Sequence, residues 1–244
     1  MPVDFAWRLM YNKNTMKKGK IMRKTKQRST VVLFDWDGTL SAGDTNVGFW
    51  RYCMRHSVWP WLFLPVALAG VGVQFIAFIS ARATIRLPYA SGPHPRIRFI
   101  DILWRQMLRL YLTPKMVKKF VPKFVKQYGS QRFGWAAEQV AKERAAGNIV
   151  ILTSASPDFL LMPLIADIEF DFIINSQMDP ARPWKFWFFN YGTNKVIMLN
   201  ILLKHGTFDV VRAYSDSRSD IPMMSLAREQ IWINQKTGCR ENAP

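Results

Sequence analysis

A parallel α/β sheet with helices on both faces, interrupted after its first strand by a helical insertion, is the fold class this sequence predicts. Short apolar runs rich in β-branched residues recur along the chain and alternate with helical patterns, the arrangement that gives repeated βα units. The runs end in polar or acidic residues, and the carboxyl ends of strands in such sheets are where ligands bind. Between the first run and the second lies a long basic and apolar stretch, about Ser41 to Gln139.

The first run, Val31 to Phe34, reads as a buried strand and leads into "DWDGTL". Asp35 and Asp37 flank a tryptophan, and Gly38 signals an abrupt turn. Two carboxylates gathered at a strand end repel each other unless a cation or a proton sits between them. A solvated turn is the plain reading; a metal site with a nucleophile is the sharper one.

The chain has 244 residues, 49% of them hydrophobic, enough to bury a sizeable core. Cys53 and Cys239 form neither a disulfide framework nor a CxxC pair, which fits a reducing setting. His56, His94 and His205 lack metal-ligand spacing and read as surface or packing residues. The net charge of +17 is unevenly spread. Up to Leu40 there are 9 basic and 3 acidic residues, from Ser41 to Asn148 16 and 4, and from Ile149 onward 9 and 10. The excess in the middle points to a polyanionic surface nearby.

Residues 1–29 read as a basic disordered arm, with no apolar segment of the secretory kind, and Met16 and Met22 are alternative starts to Met1. In the insertion, Ser57 to Ser80 carries no charged residue over twenty-four positions. That length meets the requirement of about 20 apolar residues for a membrane span. Trp59 and Trp61 sit at one end, as interfacial aromatics do, while Pro60, Pro65, Gly70 and Gly72 favour a kinked or broken helix. A buried helix pair in a cap is the alternative. Further on, Arg98, Arg105 and Arg109 fall within roughly 40° of one another on a helix, opposite a Trp/Leu face. Such a helix fits a bilayer interface or a soluble bundle. "PKMVKKFVPKFVKQYG" adds five lysines interleaved with Phe120, Phe124 and Val125.

Beyond the insertion, "GWAAEQVAKERAAG" reads as a helix closed by Gly147. "NIVILTSASPDF" is a strand ending in Thr153 and Ser154, with Pro157 opening a helix. "FDFIINSQM" is another strand. "PWKFWFFNYGTNK" gives an aromatic hairpin-like stretch and then a helix carrying Lys195 near its start. "DVVRAYSDSRSD" is a strand ending at Asp216 and Asp220, and "QIWIN" reads as a last strand.

These constellations resemble, in order and local context, the four motifs of the haloacid-dehalogenase-like (HAD) superfamily, whose members mostly transfer phosphoryl groups. "FDWDGTL" matches the first motif in full; "IVILTSASP", the lysine of "YGTNK" and the acidic pair of "YSDSRSD" resemble the other three. The resemblance covers Val31 to about Asn234 and implies a Rossmann-like core, residues 30–40 and 140–244, with a helical cap over residues 41–139. An insertion between the first two motifs is similar to the phosphoserine-phosphatase-like branch. The apolar and basic pattern within it resembles phosphatidylglycerophosphatases of the C type, in pattern rather than residue identity.

The resemblance implies roles. Asp35 is the nucleophile that forms an aspartyl-phosphate, and Asp37 the general acid and base, a residue that favours phosphatases within the family. Ser154 and Lys195 hold the phosphate. Asp35, Asp216 and the main-chain carbonyl of Asp37 bind Mg²⁺, a hard cation suited to oxygen ligands, and Asp220 supports the metal waters or Lys195. Asp44 occupies the position of a substrate-facing acid in relatives. The expected partners are a phosphomonoester of lipid type and an anionic membrane surface. A soluble small-metabolite phosphatase is the alternative. A nucleic-acid-binding module would leave the acidic constellations unexplained, so no nucleic acid is expected.

Topology adds a constraint. Asp35 precedes Ser57 to Ser80, while Ser154, Lys195 and Asp216 follow it. The chain must return to the same side of a membrane, so the stretch is re-entrant, interfacial, half of a hairpin, or packed in a soluble cap. Flanking arginines fit the cytoplasmic side of the inner membrane, with a cytoplasmic enzyme as the alternative.

Overall fold

The computed structural model describes residues 29–58, 61–62, 65, 68–69, 72, 114–179, 182–203 and 208–242. The N-terminal arm up to Arg28, the two alternative start methionines, most of Ser57–Ser80 and the arginine stripe from Arg98 to Arg109 lie outside the described residues.

Among the described residues seven strands form one sheet: β1 (Ser29–Phe34), β2 (Ile149–Pro157), β3 (Phe172–Asp179), β4 (Arg182–Phe188), β5 (Phe208–Ser215), β6 (Glu229–Ile233) and β7 (Arg240–Glu241). Their order is β4-β3-β2-β1-β5-β6-β7. The five central strands are parallel, and the two outermost pairings, β3 with β4 and β6 with β7, are antiparallel. The expected mixed α/β class with a parallel core is therefore what the chain adopts. One expectation is corrected: "QIWIN" is not the last strand, because β7 folds back on it through a turn at Asn234 to Cys239. β7 is two residues long, too short to show a period of alternation.

β1 is central because both its faces are apolar. Val32 and Phe34 belong to one buried cluster, Val31 and Leu33 to another, as side chains alternate across a strand. A strand buried on both faces reads as a continuous apolar run, which is why it was legible. Among the described residues four helices cover the first face: α1 (Thr45–His56), α2 (Pro114–Tyr128), α3 (Ala136–Ala145) and α4 (Asp158–Leu164). α5 (Thr193–Leu203) and α6 (Ile221–Met224) cover the second through Met198, Leu199, Leu202, Met223 and Met224.

The helical insertion contributes to this same core. α2 buries Phe120, Val121, Phe124 and Tyr128 while Lys118, Lys119, Lys123 and Lys126 face solvent. Phe49 of α1 meets Phe124 edge-on at 5.3 Å between ring centroids. α3 ends where Gly147 takes φ +82, the left-handed conformation that stops helices and favours glycine. Among the described residues no helix is long and apolar enough to cross a membrane. Of the described residues in the uncharged stretch, the large apolar ones, Val58, Trp61, Leu62 and Leu68, are exposed.

The register positions the site. Phe34 pairs with Leu152 on one side and Tyr214 on the other, so the strand ends after β1, β2 and β5 come out level. β1 leads outward to β2 and β3, and the chain then returns to place β5 on its other side. This reversal of strand order is where open α/β sheets form their ligand crevice.

Candidate active site

Asp35 follows β1 directly and its N–H donates to the Tyr214 carbonyl at 3.0 Å, extending the sheet by one residue. Trp36 turns the other way, is buried, and donates from Nε1 to Thr45 Oγ1 at 3.2 Å. The tryptophan between the two acids thus belongs to the core and ties the turn to α1. The Trp36 carbonyl accepts from the N–H groups of Thr39, Leu40 and Ser41, closing a tight turn. Gly38, at φ +76, permits it; a Cβ there would stand 2.1 Å from Asp216 Oδ2.

Lys195, at the start of α5, is buried and donates to Asp35 Oδ1 at 2.8 Å and to Asp220 Oδ2 at 2.7 Å. Ser215 Oγ donates to the same Asp220 oxygen at 2.8 Å. Thr39 Oγ1 donates to Asp216 Oδ1 at 3.3 Å, drawing the end of β5 towards the first turn. Asp37 accepts from the Thr45 N–H at 2.6 Å on Oδ1 and from the Ser156 hydroxyl at 2.5 Å on Oδ2. Asp44 caps α1 by accepting from the Val47 N–H at 2.9 Å.

Asp35, Asp37, Asp44, Lys195, Asp216 and Asp220 line one cavity of about 170 Å³. The structure therefore brings together the acidic side chains and the lysine that the motif resemblance assigned to the site. Ser154 is placed differently. It is fully buried, its Oγ accepts from the Ser156 N–H at 3.0 Å, and Ala155 reaches the cavity in its stead. The β2–β3 register shifts between Ser154 and Pro157, an irregularity that re-aims the strand end.

Four residues absent from the sequence reading also shape the site: Ser156, Thr45, Tyr191 and Asn190. Tyr191 lines the cavity. Asn190 is buried and donates from Nδ2 to Thr153 Oγ1, the Ser154 carbonyl and the Ile174 carbonyl at 2.9–3.1 Å, joining β2 and β3 to the loop before Lys195. Ser156 stood inside the quoted motif, so it was within reach; Asn190 gives no local signal.

The electrostatics follow from burial. Burial pushes Asp35 well above its ordinary value, against the Lys195 charge, and Asp220 and Asp216 reinforce the rise. Burial, aided by the Asp44 charge, lifts Asp37 to about 6, while bonds from Ser156 and Thr45 restrain it. Asp216 is also raised to about 6, mainly by burial and further by Asp220. Burial alone would lower Lys195, but the charges of Asp220 and Asp35 outweigh it and hold the ammonium above its ordinary value.

Asp35, Asp216 and Asp220 face one lysine, so the cluster carries an excess of negative charge in a buried place. Asp220 Oδ1 is buried without a hydrogen-bond partner. Clustered hard oxygens with uncompensated charge suit a small hard cation. Among the described residues no three His, Cys, Asp or Glu side chains group as a ligand set, so a cation here would rest on two carboxylates and main-chain oxygen.

The haloacid dehalogenase-like hydrolase family matches residues 32–225, most of the chain and all of these side chains. The chain belongs to that family. It is therefore an enzyme of hydrolase type, and its acidic cluster lies within the matched residues. No curated protein matches it. Among solved structures it is similar to a protein of unknown function from Bordetella pertussis Tohama I. That pair shares a TM-score of 0.62 and 17% identity, over 85% of this chain and 91% of the other. It is also similar to a phosphoserine phosphatase captured as a phospho-aspartyl intermediate analogue, with TM-score 0.54 and 15% identity over 86% and 88% of the two chains. A phosphoserine phosphatase in apo form gives TM-score 0.54 and 15% identity over 84% and 85%. At these identities the likeness is one of fold, and the fold is that of HAD-like hydrolases.

Proposed function

We propose that the chain is a Mg²⁺-dependent phosphomonoester hydrolase acting through an aspartyl-phosphate on Asp35. We further propose that its substrate is a membrane lipid phosphate such as phosphatidylglycerophosphate. The observation that carries the chemistry is the pairing of Asp35, held by Lys195 at 2.8 Å, with a second acid, Asp37, on the same turn. A carboxylate oxygen of Asp35 attacks phosphorus; the new O–P bond forms as the bond to the leaving alcohol breaks. Asp37, raised to about 6, gives its proton to the leaving oxygen. Water then attacks phosphorus, returns a proton to Asp37, and releases inorganic phosphate with Asp35 restored.

Lys195 offsets charge on Asp35 and on the incoming phosphate, while Asp220, backed by Ser215, fixes the ammonium. Ala155, which lines the cavity, is the β2 residue beside the phosphate, since the Ser154 hydroxyl is buried and the Ser156 N–H is committed to it. Asp35, Asp216 and the Asp37 carbonyl would hold Mg²⁺, which supplies the positive charge that phosphoryl transfer needs.

The lipid reading is supported by the exposed Val58, Trp61, Leu62 and Leu68 and by the lysine face of α2, apolar and basic surfaces that a bilayer would engage together. The names of the two phosphoserine phosphatases favour a soluble alternative. A phosphate-release screen of lipid and soluble phosphomonoesters, in detergent with Mg²⁺, separates them. We expect turnover of phosphatidylglycerophosphate in mixed micelles, weak turnover of free phosphoserine, and loss of roughly 10³-fold or more in Asp35→Asn. Near wild-type activity in folded Asp35→Asn would end the mechanism. Efficient phosphoserine hydrolysis without lipid turnover would promote the soluble enzyme.

A further inference from the structure

A second cavity, about 430 Å³, adjoins the first and shares Gly43 and Asp44 with it. Its wall includes Arg51, Arg55 and His56 from α1, with Tyr52 beside them and Tyr128 from α2. Asp44 at the neck is the only carboxylate lining it among the described residues, and one oxygen of that carboxylate is committed to capping α1.

The two guanidinium groups lie on one side of α1, since residues four apart are neighbours on a helix. Neither forms an ion pair with a carboxylate among the described residues. α1 is also anchored to the chemistry: the N–H of its first residue, Thr45, donates to Asp37. At about 1.5 Å per residue, Arg51 and Arg55 stand roughly 9 and 15 Å along the helix from that anchor. Tyr52 stacks on His56 at 4.0 Å between ring centroids, and His56 Nδ1 is within 2.9 Å of the Tyr52 carbonyl, so this end of the helix is braced. Tyr128 donates to the Ala42 carbonyl at 3.2 Å, bracing the neck.

We infer that the Arg51–Arg55 cleft binds a second anionic group on the substrate's leaving alcohol, apart from the phosphate attacked by Asp35. The inference rests on the phosphatase reading above and narrows it to phosphomonoesters that are anionic at both ends. Guanidinium forks match phosphate and carboxylate oxygens, and two of them facing one cleft select for such a group over a neutral one. The polar neck at Asp44 suits a hydroxylated linker between the two anions. A phosphodiester in a lipid headgroup and a free second phosphate share this chemistry.

The test compares kcat/KM for three substrates: p-nitrophenyl phosphate, glycerol bisphosphate in solution, and phosphatidylglycerophosphate in mixed micelles. The wild type should prefer at least one doubly anionic substrate over p-nitrophenyl phosphate. Arg51→Gln/Arg55→Gln should lower that preference ratio by about tenfold or more, chiefly through KM. Arg51→Lys/Arg55→Lys, which keeps the charge, should retain most of it and guards against a folding defect. Preference for both doubly anionic substrates assigns the cleft to a free anion; preference for the micellar one alone assigns it to a lipid headgroup. An unchanged ratio in the glutamine variant overturns the subsite while leaving the phosphatase reading intact. Absence of wild-type turnover on all three overturns both.

Discussion

Ser156 donates its hydroxyl to Asp37 Oδ2 at 2.5 Å while the Thr45 N–H holds Oδ1 at 2.6 Å, so Asp37 is fixed from both sides. One donor comes from β2 and the other from α1, so the proposed general acid is positioned only when the insertion docks on the sheet. Both bonds favour the ionised form and oppose the burial that lifts Asp37 to about 6. Ser156→Ala removes one of them. We expect kcat to fall by roughly tenfold, the usual scale of a lost bond to a charged group. The limb of the pH–rate profile that belongs to Asp37 should also move to higher pH. A profile that keeps its limb would separate Ser156 from the proton transfer.

Gly38 tests how closely the first and last acidic motifs approach. Its φ of +76 disfavours any side chain, and its missing Cβ is the space that Asp216 occupies. Gly38→Ala should cost about 1–2 kcal/mol for the backbone conformation alone. It should displace the Asp216 carboxylate as well, so Mg²⁺ affinity falls along with the urea midpoint. Loss of stability with unchanged Mg²⁺ affinity would show that Asp216 is not a ligand.

The pKa directions fix the sign of a pH effect. Asp216 rises from 3.8 to about 6 on folding, so its ionisation weighs on the metal-free fold above that range and is relieved as the group protonates. Asp35 shifts in the same direction. Metal-free protein should therefore gain stability from these groups as pH falls from about 7.5 towards 5. Protons and Mg²⁺ compete for the same oxygens, so the rise in Tm on adding Mg²⁺ should be larger at about pH 7.5 than at about pH 5.5. An equal rise at both values would place the cation elsewhere.

How much of this was legible depended on whether a residue announces itself locally. Asp35, Asp37, Lys195, Asp216 and Asp220 stand at the ends of apolar runs or at a helix start, and the parallel register brings those ends level. Pattern alone carried them. Ser154 is the instructive exception: it stands on the expected strand, but its side chain is buried, its Oγ accepts from the Ser156 N–H, and the register shift that follows it has no signal in "TSASP". Asn190 and Thr45 act through contacts 36 and 8 residues away in sequence, with no period to read. β7 was missed for its length, and the aromatic stretch before Lys195 became an antiparallel edge, β4, which begins three residues after β3 ends.

Lys195 offers the sharpest separation of stability from catalysis. Its ammonium is buried between Asp35 and Asp220, and all three side chains are almost wholly removed from solvent. Breaking a buried ion pair by removing one partner leaves an uncompensated charge, at a cost of about 3–5 kcal/mol. Lys195→Met should therefore unfold at markedly lower urea near neutral pH, with the deficit shrinking as acid protonates Asp35. Adding Asp220→Asn to Lys195→Met removes one orphaned charge and should recover part of the lost stability. Activity should stay low, because no cation then faces Asp35 and the phosphate. If the double variant is no more stable than Lys195→Met alone, the lysine's role in the fold is packing rather than charge compensation.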